Sequence, residues 1–235
     1  NTTGNLNAFV GQFAGRSNTT GVENTFIGQA AGDANTTGNA NTFVGRFAGN
    51  SNTTGSFNTF LGRNSGSSNT TAFLNIFLGT GSGNSNTIGA ENTFVGQAAG
   101  LNNTEGEFNT FLGRSAGNSN STGNRNTFLG HGAGASNTTA NINTFIGQLA
   151  GNANTTAIRN TFLGQEAGFR TTTGGNNTYI GRAAGHENVT VQRNTFLGLG
   201  AGYNNTGTSN VFLGHQAGFN EAGYNLLCND NSHTN

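Results

Sequence analysis

The side chains that usually carry catalysis or bind metals are few in this sequence, and their spacing fits neither role. The 235 residues include four histidines, nine carboxylates and a single cysteine, Cys228. A metal site or an acid–base pair needs several such groups at one place, and no paired carboxylates or metal-ligand spacing occur. Calcium-binding solenoids repeat a Gly-Gly-x-Gly-x-Asp motif, whereas Asp33 and Asp230 are the only aspartates. We therefore expect no enzyme and no cofactor or metal. The histidines are interpreted as surface or turn residues, namely His131, His186, His215 and His233.

A polar position that recurs about every 17 residues is the better candidate for contact with a ligand. It holds glutamine, arginine or histidine in most of its copies. Amides and guanidinium groups in such a row could bind sugar hydroxyls or an acidic glycan. Alternatively, they form hydrogen bonds to turns or to neighbouring chains. The candidate contact column comprises Gln12, Gln29, Arg46, Arg63, Gln97, Arg114, Gln148, Gln165 and Arg182, with His131 and His215 at the same position.

The overall composition excludes several classes of protein. The charges balance at nine arginines against nine acidic residues, which leaves no electrostatic footprint for nucleic acid or a membrane surface. No apolar run approaches the length of about 18 residues that a transmembrane helix needs, so we expect no membrane insertion by this segment. The 40 glycines do not follow the triplet of collagen and proline is absent, while 19 phenylalanines argue against disorder.

One repeat accounts for nearly the whole sequence. The unit reads Asn-Thr-Phe-aliphatic-Gly-x-x-Ala-Gly-x-x-Asn-Thr-Thr-Gly-x-x, and its positions are numbered 1 to 17 from the first asparagine. Asparagine at position 1 and glycine at positions 5 and 9 are present in all thirteen copies. The copies begin at residues 7, 24, 41, 58, 75, 92, 109, 126, 143, 160, 177, 194 and 210.

A period of 17 residues predicts an all-β fold, a parallel β-solenoid or β-roll of about thirteen coils. Helical repeats need about 33 to 47 residues per unit, and two glycines in every unit oppose helix. Asn-Thr-Phe-aliphatic is typical of a strand that the glycine at position 5 ends, and the x-x-Ala stretch is expected to be a short second strand. At about 4.8 Å per coil the stack would be a rod of roughly 60 Å. We assign residues 1–219 to the array and 220–235 to a degenerate terminal strand that leads to a further domain, with Cys228 as its buried apolar residue.

Stacking of equivalent residues predicts ladders of asparagines and of aromatic rings, which stabilise cross-β structures. Side chains alternate along a strand, so positions 3 and 4 must face opposite sides, and the alternation leaves open which of them faces inward. Whichever column faces outward forms a continuous apolar stripe larger than a soluble monomer normally exposes. The stripe therefore predicts lateral packing against another copy. The aromatic ladder comprises Phe9, Phe26, Phe43, Phe60, Phe77, Phe94, Phe111, Phe128, Phe145, Phe162, Tyr179, Phe196 and Phe212.

The repeat resembles the Ser-Val-Ala-Ile-Gly-x-x-Ala units in the heads of trimeric autotransporter adhesins. It is more similar still to Asn-Thr-rich repeats of bacterial surface and tail-fibre-like proteins, some of which carry a C-terminal intramolecular chaperone. This resemblance implies a β-roll at the bacterial surface, with three chains side by side. The segment Tyr224-Asn225-Leu226-Leu227-Cys228-Asn229-Asp230-Asn231-Ser232 resembles the passage of such arrays into their next domain. The unit here is longer than in the adhesin heads, and phenylalanine replaces a small residue at position 3.

These observations favour a non-enzymatic, extracellular structural or adhesive fibre protein. Its expected partners are further copies of itself, with a trimer favoured over a filament, and a cell-surface glycan is a candidate ligand. A glycan-binding or glycan-cleaving tailspike is one alternative. Ice binding is another, through a column that includes Thr25, Thr42, Thr59, Thr93 and Thr110, although a Thr-x-Thr pair is missing.

The Asn-x-Thr sequences have two interpretations. They are either acceptors for N-glycosylation or asparagines that bond their own turns, and the second interpretation is favoured. The asparagines concerned are Asn18, Asn35, Asn52, Asn69, Asn120, Asn137, Asn154 and Asn188.

Overall fold

A computed structural model describes residues 2–228 and confirms the parallel β-solenoid with one coil per repeat. The chain divides into two compact units, unit 1 (Asn1–Thr122) and unit 2 (Gly123–Asn235). Each unit is all-β, and no helix occurs in the part of the chain that the structure describes. Accordingly, none of residues 2–228 lies in a helix long and apolar enough to cross a membrane. His233 and Asp230, like all of residues 229–235 in the predicted terminal segment, lie outside the described residues.

Each unit contains one strand of two or three residues per coil, and neighbouring strands pair in parallel. In unit 1 the strands are β1 (Ala8–Val10), β2 (Thr25–Ile27), β3 (Thr42–Val44), β4 (Thr59–Leu61), β5 (Ile76–Leu78), β6 (Thr93–Val95) and β7 (Thr110–Leu112). In unit 2 they are β8 (Thr127–Leu129), β9 (Thr144–Ile146), β10 (Thr161–Leu163), β11 (Thr178–Ile180), β12 (Thr195–Leu197), β13 (Val211–Leu213) and β14 (Leu227–Cys228). The register joins equivalent residues, as in Phe26 with Phe43 and Phe212 with Cys228.

Glycine at position 5 ends each strand because the backbone there has a conformation that side chains rarely adopt. The φ angles of these glycines lie between 126° and 141°. A Cβ on Gly79 would also approach the carbonyl oxygen of Gly96 in the next coil to 2.5 Å. Any other residue at this position would therefore strain its own backbone and push the coils apart.

The expected second strand at positions 6 to 8 is wrong, since these residues form a turn in every coil. Position 7 has a left-handed backbone, with φ of 60° at Phe47, which a strand does not accommodate. The turn is closed within the coil, where the amide of Ala48 donates to the carbonyl of Gly45 at 3.2 Å. It is also bonded between coils, where the amide of Phe47 donates to the carbonyl of Gln29 at 2.9 Å. The coils thus stack through turns as well as strands.

The aromatic column at position 3 faces the interior of the solenoid, and the aliphatic column at position 4 faces outward. From Phe26 onward these rings are fully buried beside the alanines of position 8, such as Ala48. Within unit 1 successive rings stack with centroids 4.7–4.9 Å apart, as in Phe43 with Phe60. This spacing is the distance between neighbouring strands, so the rings and the backbone ladder have one common repeat. The predicted aromatic columns are present in both units. Cys228 is buried at the same place in β14.

Two columns of buried asparagines supply the polar bonds of the interior. At position 1, Asn41 donates from Nδ2 to the carbonyl of Gly55 at 2.8 Å, and its Oδ1 accepts from the amide of Asn58 at 2.9 Å. At position 12, Asn52 donates from Nδ2 to Oδ1 of Asn35 at 2.8 Å and to the carbonyl of Gly55 at 3.0 Å. The asparagine ladders are therefore made of side chains that bond the coil above, the coil below and their own turn.

The same geometry decides between the two interpretations of the Asn-x-Thr sequences. All eight asparagines are buried, with at most 1% of each residue exposed. Their Nδ2 groups, which glycosylation would modify, point into the solenoid, as in the bond from Asn35 to the carbonyl of Gly38 at 3.1 Å. The folded coils therefore favour the turn-bonding interpretation for every one of them.

Candidate functional site

Three exposed columns run along the coils of each unit and are the candidate sites. The strand face consists of the outward side chains at positions 2 and 4. The amide column is position 6, which holds the contact residues expected from the sequence. The corner is the last residue of each coil, immediately before the asparagine of the next.

The strand face is apolar or hydroxylic and carries no charge in any described coil. Its aliphatic residues are substantially exposed, at 48% for Leu61, 42% for Leu112, 41% for Leu163 and 47% for Leu197. Threonine occupies position 2 in most coils, so a row of hydroxyl groups lies beside the aliphatic row. Soluble monomers rarely leave large continuous apolar surfaces uncovered. The face is therefore suited to contact another surface.

The amide column is exposed in every coil, including all nine predicted contact residues. Its side chains bond one another along the stack, with Arg46 Nε donating to Gln29 Oε1 at 3.0 Å and Gln29 Nε2 donating to Gln12 Oε1 at 3.4 Å. The guanidinium of Arg46 also lies 4.5 Å from the ring centroid of Phe47. The column thus offers donors to a ligand, and it includes no carboxylate among the described residues.

An open, polar depression of about 290 Å³ lies beside this column in unit 1. Its walls come from positions 7, 10 and 11 of two successive coils. They consist of Phe47, Asn50, Ser51, Asn64, Ser67 and Ser68. The depression is shallow, so it adds hydrogen-bonding groups to the candidate contact column without enclosing a ligand.

The corner was not singled out from the sequence, although its backbone is the most unusual of the three columns. Its residues have φ between 53° and 60° in every described coil, yet none of them is glycine. Large side chains occur there in exposed positions, including Phe57 at 61% and Leu74 at 50%. A left-handed conformation costs about 1–2 kcal/mol for a residue with a Cβ. The repeat alignment alone shows that bulky residues recur at this position, but it does not reveal that their backbone is left-handed.

A second aromatic stack lies on the surface of unit 2 at position 10 and was also missed. Phe169, His186, Tyr203 and Phe219 stack with ring centroids 4.8–5.0 Å apart. Glu187 Oε1 lies 2.7 Å from Nδ1 of His186. Because the rings cover one another's faces, only their edges are exposed, which does not suit stacking against a sugar ring. No cluster of three or more metal-ligating side chains occurs among residues 2–228.

Comparison with protein-family models, curated proteins and solved structures found no match for this chain. The site must therefore be interpreted from its own geometry.

Proposed function

We propose that this chain is a non-enzymatic structural segment of an extracellular fibre, in which the coils stack within a chain and the strand faces pack between chains. The observation that carries the proposal is the uncharged strand face, whose aliphatic residues are up to 61% exposed. Burying apolar surface is worth about 25 cal/mol per Å². A face that repeats in every coil multiplies this gain with each coil that is paired.

The interior is suited to resisting force along the stack of each unit. Within each unit, successive coils are joined by backbone bonds, by stacked rings and by buried amides, so force along the stack of that unit is shared among many bonds. This construction is consistent with the resemblance to adhesin heads and tail-fibre-like repeats, which favours a surface location and a homotrimer. The polar columns, above all the amide column, would then contact a cell-surface glycan or another attachment surface.

Self-association is tested by making the strand face hydrophilic without changing its β-propensity. We expect the chain of 24.0 kDa to sediment as an oligomer. The combined substitutions Leu61→Thr, Val95→Thr and Leu112→Thr should reduce its mass to that of a monomer. A matched control is Ile88→Thr, which removes an aliphatic side chain that is 51% exposed but lies outside the strand face. A wild-type chain that is monomeric at every soluble concentration would overturn the proposal.

The attachment role has a separate test. Polygalacturonate, a linear polymer of acidic sugars, is a suitable probe for the amide column. We expect binding that weakens with salt and that Arg63→Gln with Arg114→Gln reduces. Equal binding by this variant would remove the column as the contact site and leave the fibre proposal standing.

A second candidate function is ice binding, which one observation favours. The threonines of position 2 lie on the strand face beside the aliphatic row, as Thr25 does beside Ile27, and they repeat at the spacing of the coils. Thermal hysteresis measured at high concentration tests this candidate, and its absence would exclude it.

A further inference from the structure

The amide column has arginines in two successive coils at one place only, and that place lies in unit 1. Arg46 is followed one coil later by Arg63, whereas the other arginines of the column each follow a glutamine. The rings of the same two coils, Phe43 and Phe60, stack 4.8 Å apart, so two positive charges occur one coil spacing apart. Like charges this close repel each other, and an anion bound to both would relieve that repulsion.

The described chain supplies no negative charge to this arginine pair. Neither Arg46 nor Arg63 forms an ion pair within residues 2–228, and the side chain of Arg63 forms no hydrogen bond there. Nε of Arg46 donates to Oε1 of Gln29 at 3.0 Å, and that amide oxygen is a neutral acceptor. The two guanidinium groups therefore keep most of their donors for a ligand.

Another arginine of unit 1 shows how a carboxylate is bound at this surface. Arg16 lies 4.7 Å from the ring centroid of Phe13. It binds the carboxylate of Asp33 in the next coil twice, from Nε to Oδ1 at 2.9 Å and from Nη2 to Oδ2 at 3.0 Å. Arg46 lies 4.5 Å from the ring centroid of Phe47 and has the same aromatic support, but no carboxylate of the described chain is bound to it.

The depression in unit 1 lies beside the arginine pair. Two of its wall residues, Phe47 and Asn64, each follow one of the arginines in the sequence. The side-chain amide of Asn64 and the hydroxyls of Ser51 and Ser68 form no hydrogen bond within the described chain. Amides and hydroxyls both donate and accept, which matches the hydroxyl groups of a sugar, and the half-buried ring of Phe47 adds an apolar wall.

From this arrangement we infer that the coils beginning at Asn41 and Asn58 form a binding site for one acidic sugar unit, a hexuronate. Its carboxylate binds the guanidinium groups of Arg46 and Arg63, and its ring hydroxyls bind in the depression. A carboxylate has two oxygens and accepts from both arginines at once. We call this the uronate site.

The size and openness of the depression fit a single unit of a longer polymer. Its volume of about 290 Å³ is close to the lower limit of about 300 Å³ for ligand pockets. Because the depression is open, the neighbouring sugar units of a polymer can continue along the surface.

This inference rests on the proposed attachment role and gives it a ligand class and a place. Contact spread over the whole amide column would need a long polymer and would involve every arginine of the column. The uronate site instead requires only a short acidic oligosaccharide, and one pair of coils dominates its affinity.

Trigalacturonate, a soluble oligomer of three galacturonate units, is the probe, and titration calorimetry measures its binding to the whole chain. We expect one site per chain, binding that weakens with salt, and at least about tenfold weaker binding of the neutral oligomer galactotriose. Arg63→Gln should weaken trigalacturonate binding at least about tenfold, because it removes one of the two charges. Glutamine occupies this position in other coils, such as Gln29, so the coil accommodates the change.

Two variants with the same change in net charge locate the binding. Arg16→Gln removes a guanidinium that Asp33 already pairs within the chain and should change the affinity by less than about twofold. Arg114→Gln removes an isolated arginine of the amide column and should weaken binding by less than about threefold. Equal losses in the Arg63 and Arg114 variants would overturn the uronate site and leave the amide column as the contact surface.

Contacts with the sugar hydroxyls are tested separately from the charge. Asn64→Ala with Ser68→Ala should weaken trigalacturonate binding about fivefold and change the binding of inorganic sulfate by less than about twofold. Other coils have alanine at these positions, as at Ala30 and Ala34, so the backbone accommodates both changes. Unchanged trigalacturonate binding in this variant would overturn the assignment to a sugar.

The wild-type chain separates failure of the site from failure of the attachment role. Binding of polygalacturonate without binding of trigalacturonate would overturn the uronate site and leave the attachment role standing. A chain that binds neither would overturn both.

Discussion

The two units are built from the same type of coil, but they differ in how completely the polar groups of the interior are hydrogen-bonded. In unit 1 the asparagines of position 12 bond one another from Asn18 to Asn103 without interruption. In unit 2 Thr171 takes the place of an asparagine. Oδ1 of Asn154 is then buried with no hydrogen-bond partner, as is Oγ1 of Thr171 itself. Oδ1 of Asn188 also has none, because Asn205 donates to the carbonyl of Gly207. The column tolerates few residue types because each side chain serves two neighbours.

Other interior replacements show what makes a substitution tolerable. In unit 1, Ser65 replaces an alanine and its hydroxyl donates to the carbonyl of Phe77 at 2.9 Å. In unit 2, Tyr179 replaces a phenylalanine, keeps the stack at 4.8 Å and receives a long bond of 3.4 Å from Asn188. A buried polar group lowers the stability little when the adjacent coil offers a hydrogen-bond partner, and it lowers the stability more when no partner is present. Outside, the units differ again, since the corner is acidic in one and basic in the other.

The largest difference in stability between the units should appear when one ladder asparagine is removed from each of them. Asn52→Ala deletes bonds to Asn35 and Gly55, together with the bond that Asn52 accepts from Asn69. It should destabilise unit 1 by about 3 kcal/mol, because Oδ1 of Asn35 is left without a donor. Asn188→Ala should cost about 1 kcal/mol, since that side chain is already poorly bonded. Urea unfolding of the two variants measures both values, and equal costs would contradict the comparison.

Restoring the asparagine ladder of position 12 in unit 2 should have the next largest effect on stability. Thr171→Asn supplies a donor to Oδ1 of Asn154 and an acceptor to Asn188, and should stabilise the chain by about 1–2 kcal/mol. The matched control is Thr172→Asn, one residue further on, where the present hydroxyl already donates to the carbonyl of Val189 at 3.2 Å. The shift of the thermal midpoint measures the gain. No gain at residue 171 would show that the orphaned groups are satisfied in some other way.

The hydroxyl of Tyr179 should make unit 2 sensitive to alkali. Burial raises the pKa of this hydroxyl well above its usual value of about 10, and hydrogen bonds from Asn188 and Asn194 only partly oppose that shift. The unfolded chain therefore loses its proton first. The stability is complete below about pH 10 and falls above it, by up to a factor of ten in the folding constant per pH unit. Tyr179→Phe should remove this fall, which denaturant midpoints between pH 8 and 11 would reveal. Parallel curves for the two chains would contradict the assignment.

The smallest effect is expected at Ser65. Ser65→Ala removes a satisfied hydroxyl and restores the residue found at this position in most coils, so the free energy of unfolding should change by less than about 1 kcal/mol. Ser82 forms the equivalent bond to Phe94 at 3.0 Å and provides a repeat of the experiment. A loss of several kcal/mol at either serine would mean that the hydroxyl has a role beyond its one bond.

Much of this fold was predictable because the repeat constrains it so strongly. The 17-residue period, the strand at Thr-Phe-aliphatic and the stacked rings follow from identities such as those of Phe26 and Phe43. The direction of the phenylalanines was not predictable, because alternation fixes only that positions 3 and 4 face opposite sides. Positions 6 to 8 were mistaken for a strand since nothing in residues such as Phe47 announces a left-handed backbone. The corner was missed for the same reason, although sorting its charges by column would have separated Glu23 from Arg193.

The self-association of the strand faces is tested most directly by the mass of the native chain in solution. Sedimentation equilibrium should give a multiple of the chain mass of 24.0 kDa. The mass should fall to that of one chain when Leu61, Val95 and Leu112 are replaced by threonine. A wild-type mass of 24.0 kDa at every concentration that stays soluble would contradict the account.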